Sequence, residues 1–152
     1  MSISRQNLSV IIVSFKSDHV IHRCINSIDK EIEIIVIENS NNTKLKKDIE
    51  EQYENVKCIL SSENIGMGGG NNIGIKNTNK DFALILNPDV ILEKNTIDEI
   101  INASKSLDSF GVIAPISDKL EYPNYKLDKN KNQKFDQKAY PKGYLSLVIL
   151  YL

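Results

Sequence analysis

The chain has 152 residues, of which 41% are hydrophobic and 26% are charged, a composition typical of a single globular domain. A formal net charge of −1, with lysine and arginine scattered along the chain, gives no support for a nucleic-acid partner. No apolar stretch approaches the roughly 18 residues of a membrane-spanning helix, and no apolar signal core follows the N-terminus. We therefore expect a cytoplasmic protein.

The first two predicted strands are continuous apolar runs, and each is followed by a helix. The run at 8–15 predicts a strand that is covered on both faces. Apolar residues at helical spacing predict a helix after it, with Ser17 or Asp18 as the cap. The run at 34–37 predicts a second buried strand, and apolar residues at four-residue steps over 45–53 predict a short amphipathic helix.

The second half of the patterned region continues this alternation. Residues 56–60 and 82–86 predict the third and fourth strands, separated by a loop over 61–70, rich in glycine and asparagine, and a short helix over 71–76. A capping box at 96–99 predicts the start of another helix.

Buried positions of that helix are expected to include Leu107, and a fifth strand at 110–114 should end at Pro115. The alternation as a whole predicts an α/β protein with a mainly parallel, doubly wound sheet, flanking helices and right-handed crossovers.

The patterned region ends near residue 116, so we divide the chain into a domain at 1–116 and a segment at 117–152. Residues 117–142 are dense in lysine, aspartate and asparagine, and predict an extended or mobile segment. The apolar run at 144–152 is too short to cross a membrane. It is either a strand without its continuation or a terminal segment with affinity for a membrane surface or a partner. Because a natural domain seldom stops inside an apolar strand, we expect a truncated chain.

The cysteines and histidines give no catalytic pattern. Cys24 and Cys58 fall on a predicted helix and a predicted strand, and without a signal peptide we expect reduced core thiols. His19 and His22 lack a third ligand nearby, so solvated helix histidines are expected rather than a metal pair. No Ser-His-Asp or Cys-His arrangement suggests a nucleophile.

The fourth predicted strand runs directly into Asn87-Pro88-Asp89. An acidic side chain is thereby placed at the carboxyl end of a buried strand, where open α/β sheets bind ligands. A carboxylate beside glycine-rich backbone suits a divalent cation and a phosphate. The same tripeptide also forms ordinary turns, so the motif alone decides little.

The glycine-rich segment at 64–72 has two interpretations. Its backbone amides could approach an anion closely, with the N–H groups of the next helix beside them. It departs from the dinucleotide fingerprint, since no glycine or alanine takes the third position, and from the P-loop, since no Lys-Ser or Lys-Thr follows. A flexible connection whose glycines supply positive φ is equally consistent with the sequence.

The ends of the first two strands offer weaker candidates. Glu38 and Asn39 could accept the imide N–H of a uracil or thymine ring or bond a ribose hydroxyl, although residues 39–43 could simply turn the chain and cap the next helix. Ser14 and Phe15 could contact the base or ribose, with Phe15 stacking beside the base. The simpler interpretation of Phe15 is a loop residue tucked against the core.

Four motifs in this order resemble the family-2 glycosyltransferases, and most closely the rhamnosyltransferase-like branch of bacterial surface-polysaccharide synthesis. The motifs are Val10 to Phe15, Ile35 to Ser40, Glu63 to Gly74 and Leu86 to Asp89. The resemblance implies a GT-A fold with a Rossmann-like nucleotide-binding half. It also implies an enzyme that makes an inverting, metal-dependent transfer of a sugar from a UDP- or dTDP-sugar to a glycan or lipid-linked acceptor.

The resemblance implies roles for single residues. Asp89 matches the final aspartate of the family's acidic pair and would hold Mg²⁺ or Mn²⁺ on the pyrophosphate. Asn87 replaces the first acidic residue and would bond the ribose or a metal-bound water. Glu38 matches the acidic base-binding position. The loop beneath the nucleotide sugar is matched by Gly68, Gly69, Gly70 and Asn71.

The resemblance leaves the general base unassigned, because in this family it comes from the part that follows the present sequence. Asp128 and Asp136 are not assigned to that role. The alternative function is therefore a truncated, non-catalytic module that binds a nucleotide sugar. An NAD-dependent Rossmann enzyme fits worst, since its glycine spacing is absent. A lipid-linked acceptor would place the protein at the inner face of the plasma membrane, in peripheral association with it.

Overall fold

A computed structural model describes residues 2–114 and the backbone of residues 147–151. The segment at 117–142, with Asp128 and Asp136, lies outside the described residues. Among the described residues, no helix combines the length and the apolar character that crossing a membrane would require.

Strands and helices alternate along the described chain. The strands are β1 (Leu8–Ser14), β2 (Glu33–Glu38), β3 (Val56–Leu60), β4 (Phe82–Leu86), β5 (Val112–Ile113) and β6 (Leu147–Tyr151). The helices are α1 (Ile21–Asn26), α2 (Thr43–Gln52), α3 (Gly66–Asn77) and α4 (Thr96–Lys105), with a short 3-10 helix at Arg5–Asn7.

The strands form one sheet in the order β3-β2-β1-β4-β6-β5. β1 pairs in parallel with β2 and β4, and β2 pairs in parallel with β3, whereas β6 runs antiparallel to both β4 and β5. The predicted mainly parallel α/β sheet is confirmed. Strand order reverses between β1 and β4, which is the kind of switch point where open sheets of this class bind ligands.

Helices cover both faces of the sheet. Even-numbered strand residues such as Val10, Ile12 and Val36 join the larger core cluster, which also takes in apolar residues of α1, α2 and α4. Odd-numbered strand residues such as Ile11 and Ile35 join the smaller cluster, against which α3 packs. In β1, β2 and β4, alternating side chains are therefore buried in different cores, which explains the continuous apolar runs of these strands.

Helix α3 begins at Gly66, five residues before the start predicted from the sequence, so the expected loop over 61–70 is wrong for its last part. Close packing on β1 explains the difference. A Cβ atom added at Gly74 would lie 2.3 Å from Cγ2 of Ile11, and one added at Gly70 would lie 2.8 Å from Cγ1 of Val13. The glycines thus allow the helix to lie directly on the strand.

The expected cap of α1 is wrong. The helix begins at Ile21, with Val20 in the N-cap position and no side chain bonded there, whereas the spacing predicts Ser17 or Asp18 as the cap. The carbonyl oxygen of Ser17 accepts the N–H groups of Val20 and Ile21. A backbone turn therefore replaces the side-chain cap.

The expected capping box of α4 is also wrong. Asn95 takes the N-cap position without a side-chain bond, and Thr96 is the first helical residue. The N–H of Thr96 donates to the carbonyl of Glu93, and its side chain is buried. Leu107 lies beyond the end of α4 and is exposed, contrary to its expected burial.

The two strands nearest the C-terminus can be compared with the sequence prediction, which places a strand at 110–114 and leaves the terminal apolar run open. β5 consists of two residues, Val112 and Ile113, and its neighbour among the described strands is β6; Val112 is exposed. Of the two interpretations of the terminal apolar run, the structure shows a strand over 147–151.

Candidate functional site

The carboxyl ends of the four parallel strands lie at one edge of the sheet. They are Ser14, Glu38, Leu60 and Leu86, on β1, β2, β3 and β4. The structure therefore brings together the segments that follow each strand, as the chain order predicts. The candidate site described below consists of these segments and the first turns of α3.

Glu38 is fully buried, and its two carboxylate oxygens have different surroundings. Oε1 accepts a hydrogen bond from the backbone N–H of Ser40 at 2.7 Å and another from the Ser40 hydroxyl. Oε2 is buried and has no partner among the described residues. A buried acceptor without a donor is unfavourable by about 1–3 kcal/mol, so a ligand N–H would satisfy it. Because Glu38 is fully buried, such contact requires neighbouring atoms to move.

Asn39 connects β2 to both neighbouring elements. Its N–H donates to the carbonyl of Ser14 at 2.8 Å, and its Nδ2 donates to the carbonyl of Gly66 at 3.1 Å. The expectation that residues 39–43 turn the chain and cap the next helix is confirmed, because Oδ1 of Asn42 accepts the N–H of Leu45 at the start of α2. Oδ1 of Asn39 is buried without a partner among the described residues.

Ser14 and Phe15 end β1 in contrasting ways. Ser14 is fully buried, lies opposite Glu38 in the strand register, and has an Oγ without a partner within the described part of the chain. Phe15 is 45% exposed, so it is not tucked against the core. The ammonium of Lys16 lies 5.3 Å from the centroid of the Phe15 ring. That ring is therefore accessible at the edge of the site.

The glycine-rich segment forms the first turns of α3. Gly66 has a φ of 73°, and its N–H donates to Oδ1 of Asn64 at 3.0 Å. Gly68 has no atom within 4 Å of an added Cβ, and Gly70 packs on Val13.

The two interpretations of this segment are both altered by that geometry. Gly68, Gly69, Gly70 and Asn71 are helical rather than a loop, and Gly66 is the one described glycine of the segment with positive φ. Amide groups in the first turn of a helix have no intrahelical acceptor. That of Gly66 donates to Asn64, and those that follow it are available to a ligand. Oδ1 of Asn71 is buried and lacks a partner among the residues described.

Asn87-Pro88-Asp89 begins a β-turn. The N–H of Val90 donates to the carbonyl of Asn87 at 3.2 Å, which places Pro88 and Asp89 at the two central positions. The side chain of Asp89 is exposed. The motif is therefore a turn that presents a carboxylate at the edge where the parallel strands end.

The donor set at this turn fits a hard cation. Within the described ranges, no group of three His, Cys, Asp or Glu side chains is arranged to hold a metal ion. Mg²⁺ in nucleotide sites is usually bound by one or two carboxylates together with substrate phosphates. Asp89, with the amide oxygen of Asn87, provides that kind of partial ligand set.

The remaining candidates are the two cysteines and the two histidines, whose surroundings differ. Cys24 and Cys58 are free and buried. Nδ1 of His22 lies 3.2 Å from the Tyr53 hydroxyl, so this histidine is not simply solvated, and His19 lies before α1 rather than in a helix. Burial, and to a smaller extent the nearby Asp89 carboxylate, raise the pKa of the Cys24 thiol to about 12.

Sequence reasoning misses Ser27, whose hydroxyl contacts the segment after Asp89. Its position in the last turn of a predicted helix gives no signal of that contact, because the partner is distant in sequence.

Comparison with known proteins identifies the family of this fold. The sequence profile described as Glycosyl transferase family 2 matches residues 9–147. The low-salt glycan biosynthesis hexosyltransferase Agl10 of Haloferax volcanii is 32% identical over 113 residues, which is 72% of this chain and 36% of that protein. The chain thus spans 36% of the length of this curated relative.

Solved structures share the fold at lower identity. The crystal structure of S. aureus TarS 1–349 has a TM-score of 0.61 at 23% identity, over 74% of this chain and 36% of that one. The mannosyltransferase PcManGT from Pyrobaculum calidifontis, in complex with GDP-Man and Mn²⁺, has a TM-score of 0.63 at 13% identity, over 75% and 36% of the two chains. The matched part of both is an α/β fold of the GT-A type.

Proposed function

Since the chain belongs to glycosyl transferase family 2, we propose that it binds the sugar donor used by a nucleotide-sugar-dependent glycosyltransferase. The donor is a UDP- or dTDP-sugar, and the sugar is transferred with inversion to a glycan or lipid-linked acceptor in surface polysaccharide synthesis. A lipid-linked acceptor favours action at the inner face of the plasma membrane. Membership of the rhamnosyltransferase-like branch stays a prediction.

One observation carries this proposal. Among the described residues, four buried polar atoms without a partner belong to the candidate site: Ser14 Oγ, Glu38 Oε2, Asn39 Oδ1 and Asn71 Oδ1. All four can accept hydrogen bonds. A nucleotide sugar offers matching donors, which are the imide N–H of the base and the hydroxyl groups of the ribose and the sugar.

The arrangement suggests a role for each side of the site. Glu38 would accept the imide N–H, and the exposed ring of Phe15 would stack beside the base. Asn39 lies between β2 and α3 and would bond a ribose hydroxyl. The first-turn amides of α3 would face the diphosphate or the sugar, since helix N-termini attract anions.

Asp89 and Asn87 would hold Mg²⁺ or Mn²⁺ together with oxygens of the diphosphate. The bound ion would stabilise negative charge on the departing diphosphate. This chain's contribution is to hold the carboxylate of Asp89 at the switch point of the sheet, beside the end of β1.

Calorimetry on the purified protein tests the proposal. We expect UDP or dTDP to bind only when Mg²⁺ or Mn²⁺ is present. In Asp89→Ala, addition of either metal should no longer strengthen nucleotide binding. Asp81→Ala is the matched control, because Asp81 is also exposed but precedes β4 at the opposite edge of the sheet. Absence of nucleotide binding with either metal would contradict the proposal.

A donor-hydrolysis assay separates an enzyme from a binding module without turnover. We expect slow release of the nucleotide diphosphate from a UDP- or dTDP-sugar, lost in Asp89→Ala and retained in Asp81→Ala. Metal-dependent binding without any hydrolysis or sugar transfer would favour the binding module. GDP-mannose belongs in the donor panel, because the PcManGT structure contains it.

A further inference from the structure

The segment that carries Asp89 is attached to α1 at both of its ends. We call residues Asn87–Leu92 the Asp89 loop. At its start, the carbonyl oxygen of Asn87 accepts a hydrogen bond from the thiol of Cys24, whose Sγ lies 3.5 Å away. At its end, the N–H of Leu92 donates to Oγ of Ser27 at 3.0 Å.

The two attachments are coupled through α1. The hydroxyl of Ser27 donates to the carbonyl of Cys24 at 2.7 Å while its oxygen accepts from Leu92. Cys24 and Ser27 therefore form one connected group of hydrogen bonds at the C-terminal end of α1. Leu92 is itself buried in the larger core cluster, which anchors the far end of the loop.

The carboxylate of Asp89 has no such attachment of its own. Within the described part of the chain, it forms neither an ion pair nor a hydrogen bond. Its position is therefore set by the backbone of the loop, and that backbone is held by Cys24 and Ser27.

We propose that Cys24 and Ser27 are positioning residues that hold the Asp89 loop in the geometry that binds the divalent cation. The inference rests on the proposed function, since the cation belongs to the donor site. Groups that orient a metal ligand typically change metal affinity by 10–100-fold when they are removed.

The surroundings of the Cys24 thiol suit a hydrogen-bond donor. The side chain is fully buried, and its thiol donates to the carbonyl oxygen of Asn87. A serine hydroxyl at this position would also donate to the Asn87 carbonyl, whereas alanine would leave that contact unmade.

The chain offers a matched control for each residue. Cys58 is also a free cysteine in the larger core cluster, but it lies on β3. Ser104 has the same bonding pattern as Ser27, since its hydroxyl donates to the carbonyl of Ile101 and accepts the N–H of Ile3. Among the described residues, neither control forms a hydrogen bond with the Asp89 loop.

The experiment measures Mn²⁺ binding by electron paramagnetic resonance in the presence of UDP or dTDP. We expect Cys24→Ala and Ser27→Ala to weaken Mn²⁺ affinity by about tenfold, and Cys24→Ser to retain affinity within about twofold of the wild type. Cys58→Ala and Ser104→Ala should also leave it unchanged. The double variant Cys24→Ala/Ser27→Ala should lose less than the product of the single effects, because both residues act on one loop.

A second readout does not depend on the cation. Hydrogen exchange of the Val90 and Leu92 amides, measured without metal, should be faster in Cys24→Ala and Ser27→Ala than in the two controls. A merely structural role of these residues would change global stability in all four variants without this local difference.

The outcomes separate the two hypotheses. Unchanged Mn²⁺ affinity in Cys24→Ala and Ser27→Ala, in a protein whose wild type binds Mn²⁺ with nucleotide, would overturn the positioning role alone. Equal loss in the control variants would overturn it as well. A wild-type protein that binds no Mn²⁺ with nucleotide would overturn the proposed function, and with it the role of both residues toward the cation.

Discussion

Of the two carboxylate oxygens of Glu38, one has hydrogen-bond partners among the described residues and the other has none. Its Oε1 is bonded to Ser40, which fixes the orientation of the carboxylate, while Oε2 is left without a donor among the described residues. Ser14, opposite it in the register, also has a buried hydroxyl oxygen without a partner there. Buried polar groups without a partner call for an explanation, and a bound ligand is one.

Replacing Glu38 by glutamine tests that reason. Glu38→Gln keeps an acceptor for Ser40 but replaces the other oxygen by an NH₂ group, which cannot accept an imide N–H. We expect nucleotide affinity to fall by about 10–100-fold, because a hydrogen bond to a charged acceptor contributes about 1.5–3 kcal/mol. Calorimetry with UDP or dTDP and Mn²⁺ measures the change.

The folding stability of Glu38→Gln should remain equal to or above that of the wild type, since a buried charge is removed. Glu33→Gln is the matched control, because Glu33 lies at the other end of β2 and bonds Thr78. Nucleotide affinity that falls equally in both variants would contradict a direct role of Glu38.

The sequence predicts where the residues at the strand ends lie, but not their exposure or their hydrogen bonds. Strand periodicity and chain order predict that Ser14, Glu38 and Asp89 share one edge, because parallel strands end together. The exposure of Phe15 and the bond from Asn39 to Gly66 could not be predicted, since both depend on how distant segments pack.

At the scale of elements, α3 is the clearest departure from sequence-based expectation. Glycine disfavours helix by about 1 kcal/mol per residue relative to alanine, so a segment containing Gly66, Gly68, Gly69 and Gly70 predicts a loop. Packing of this helix on Ile11 and Val13 of β1 overrides that preference. Propensity is a local property, and this contact joins elements far apart in the sequence.

A pair of alanine substitutions separates packing from propensity in α3. Gly74→Ala should destabilise the protein by about 1–3 kcal/mol, because the new methyl group would overlap Ile11 in a filled core. Gly68→Ala should leave stability unchanged or raise it by up to about 1 kcal/mol, because nothing lies within 4 Å and helix propensity improves. Urea unfolding measures both. Equal effects of the two substitutions would contradict close packing at Gly74.

The strands were predicted more accurately than the helix starts. β3 and β4 have the predicted bounds, and β2 is longer by one residue at each end. Apolar runs identify strands because their side chains are buried on both faces. The caps of α1 and α4 could not be predicted, because backbone turns satisfy the groups that side chains were expected to bond.

At the scale of the whole molecule, the two buried thiols couple folding to pH. Burial raises the pKa of Cys24 and of Cys58 from 9.0 to about 12. The unfolded chain ionises both thiols near pH 9, whereas the folded protein keeps them neutral. Their contribution to stability is therefore fully present below pH 9 and is lost as the pH rises from there toward about 12.

The prediction is a difference between two proteins. From pH 7 to pH 11 the urea midpoint of the wild type should fall more steeply than that of Cys24→Ala/Cys58→Ala, because the variant has no thiols to ionise on unfolding. All other ionisable side chains are common to the two proteins and cancel in the comparison. Parallel curves for the two proteins would show that the thiols are not held neutral by the fold.

The antiparallel strand β6 has a consequence for how the sheet assembles. β1 to β4 come from the first 86 residues and are joined by local crossovers, whereas β6 reaches its place between β4 and β5 from residues 147–151. Closing so long a loop is slow, and until it closes one edge of β4 is open to pairing with another chain. The strand that leads into the Asp89 loop thus lies between β1, which comes from early in the chain, and β6, which comes from far along it.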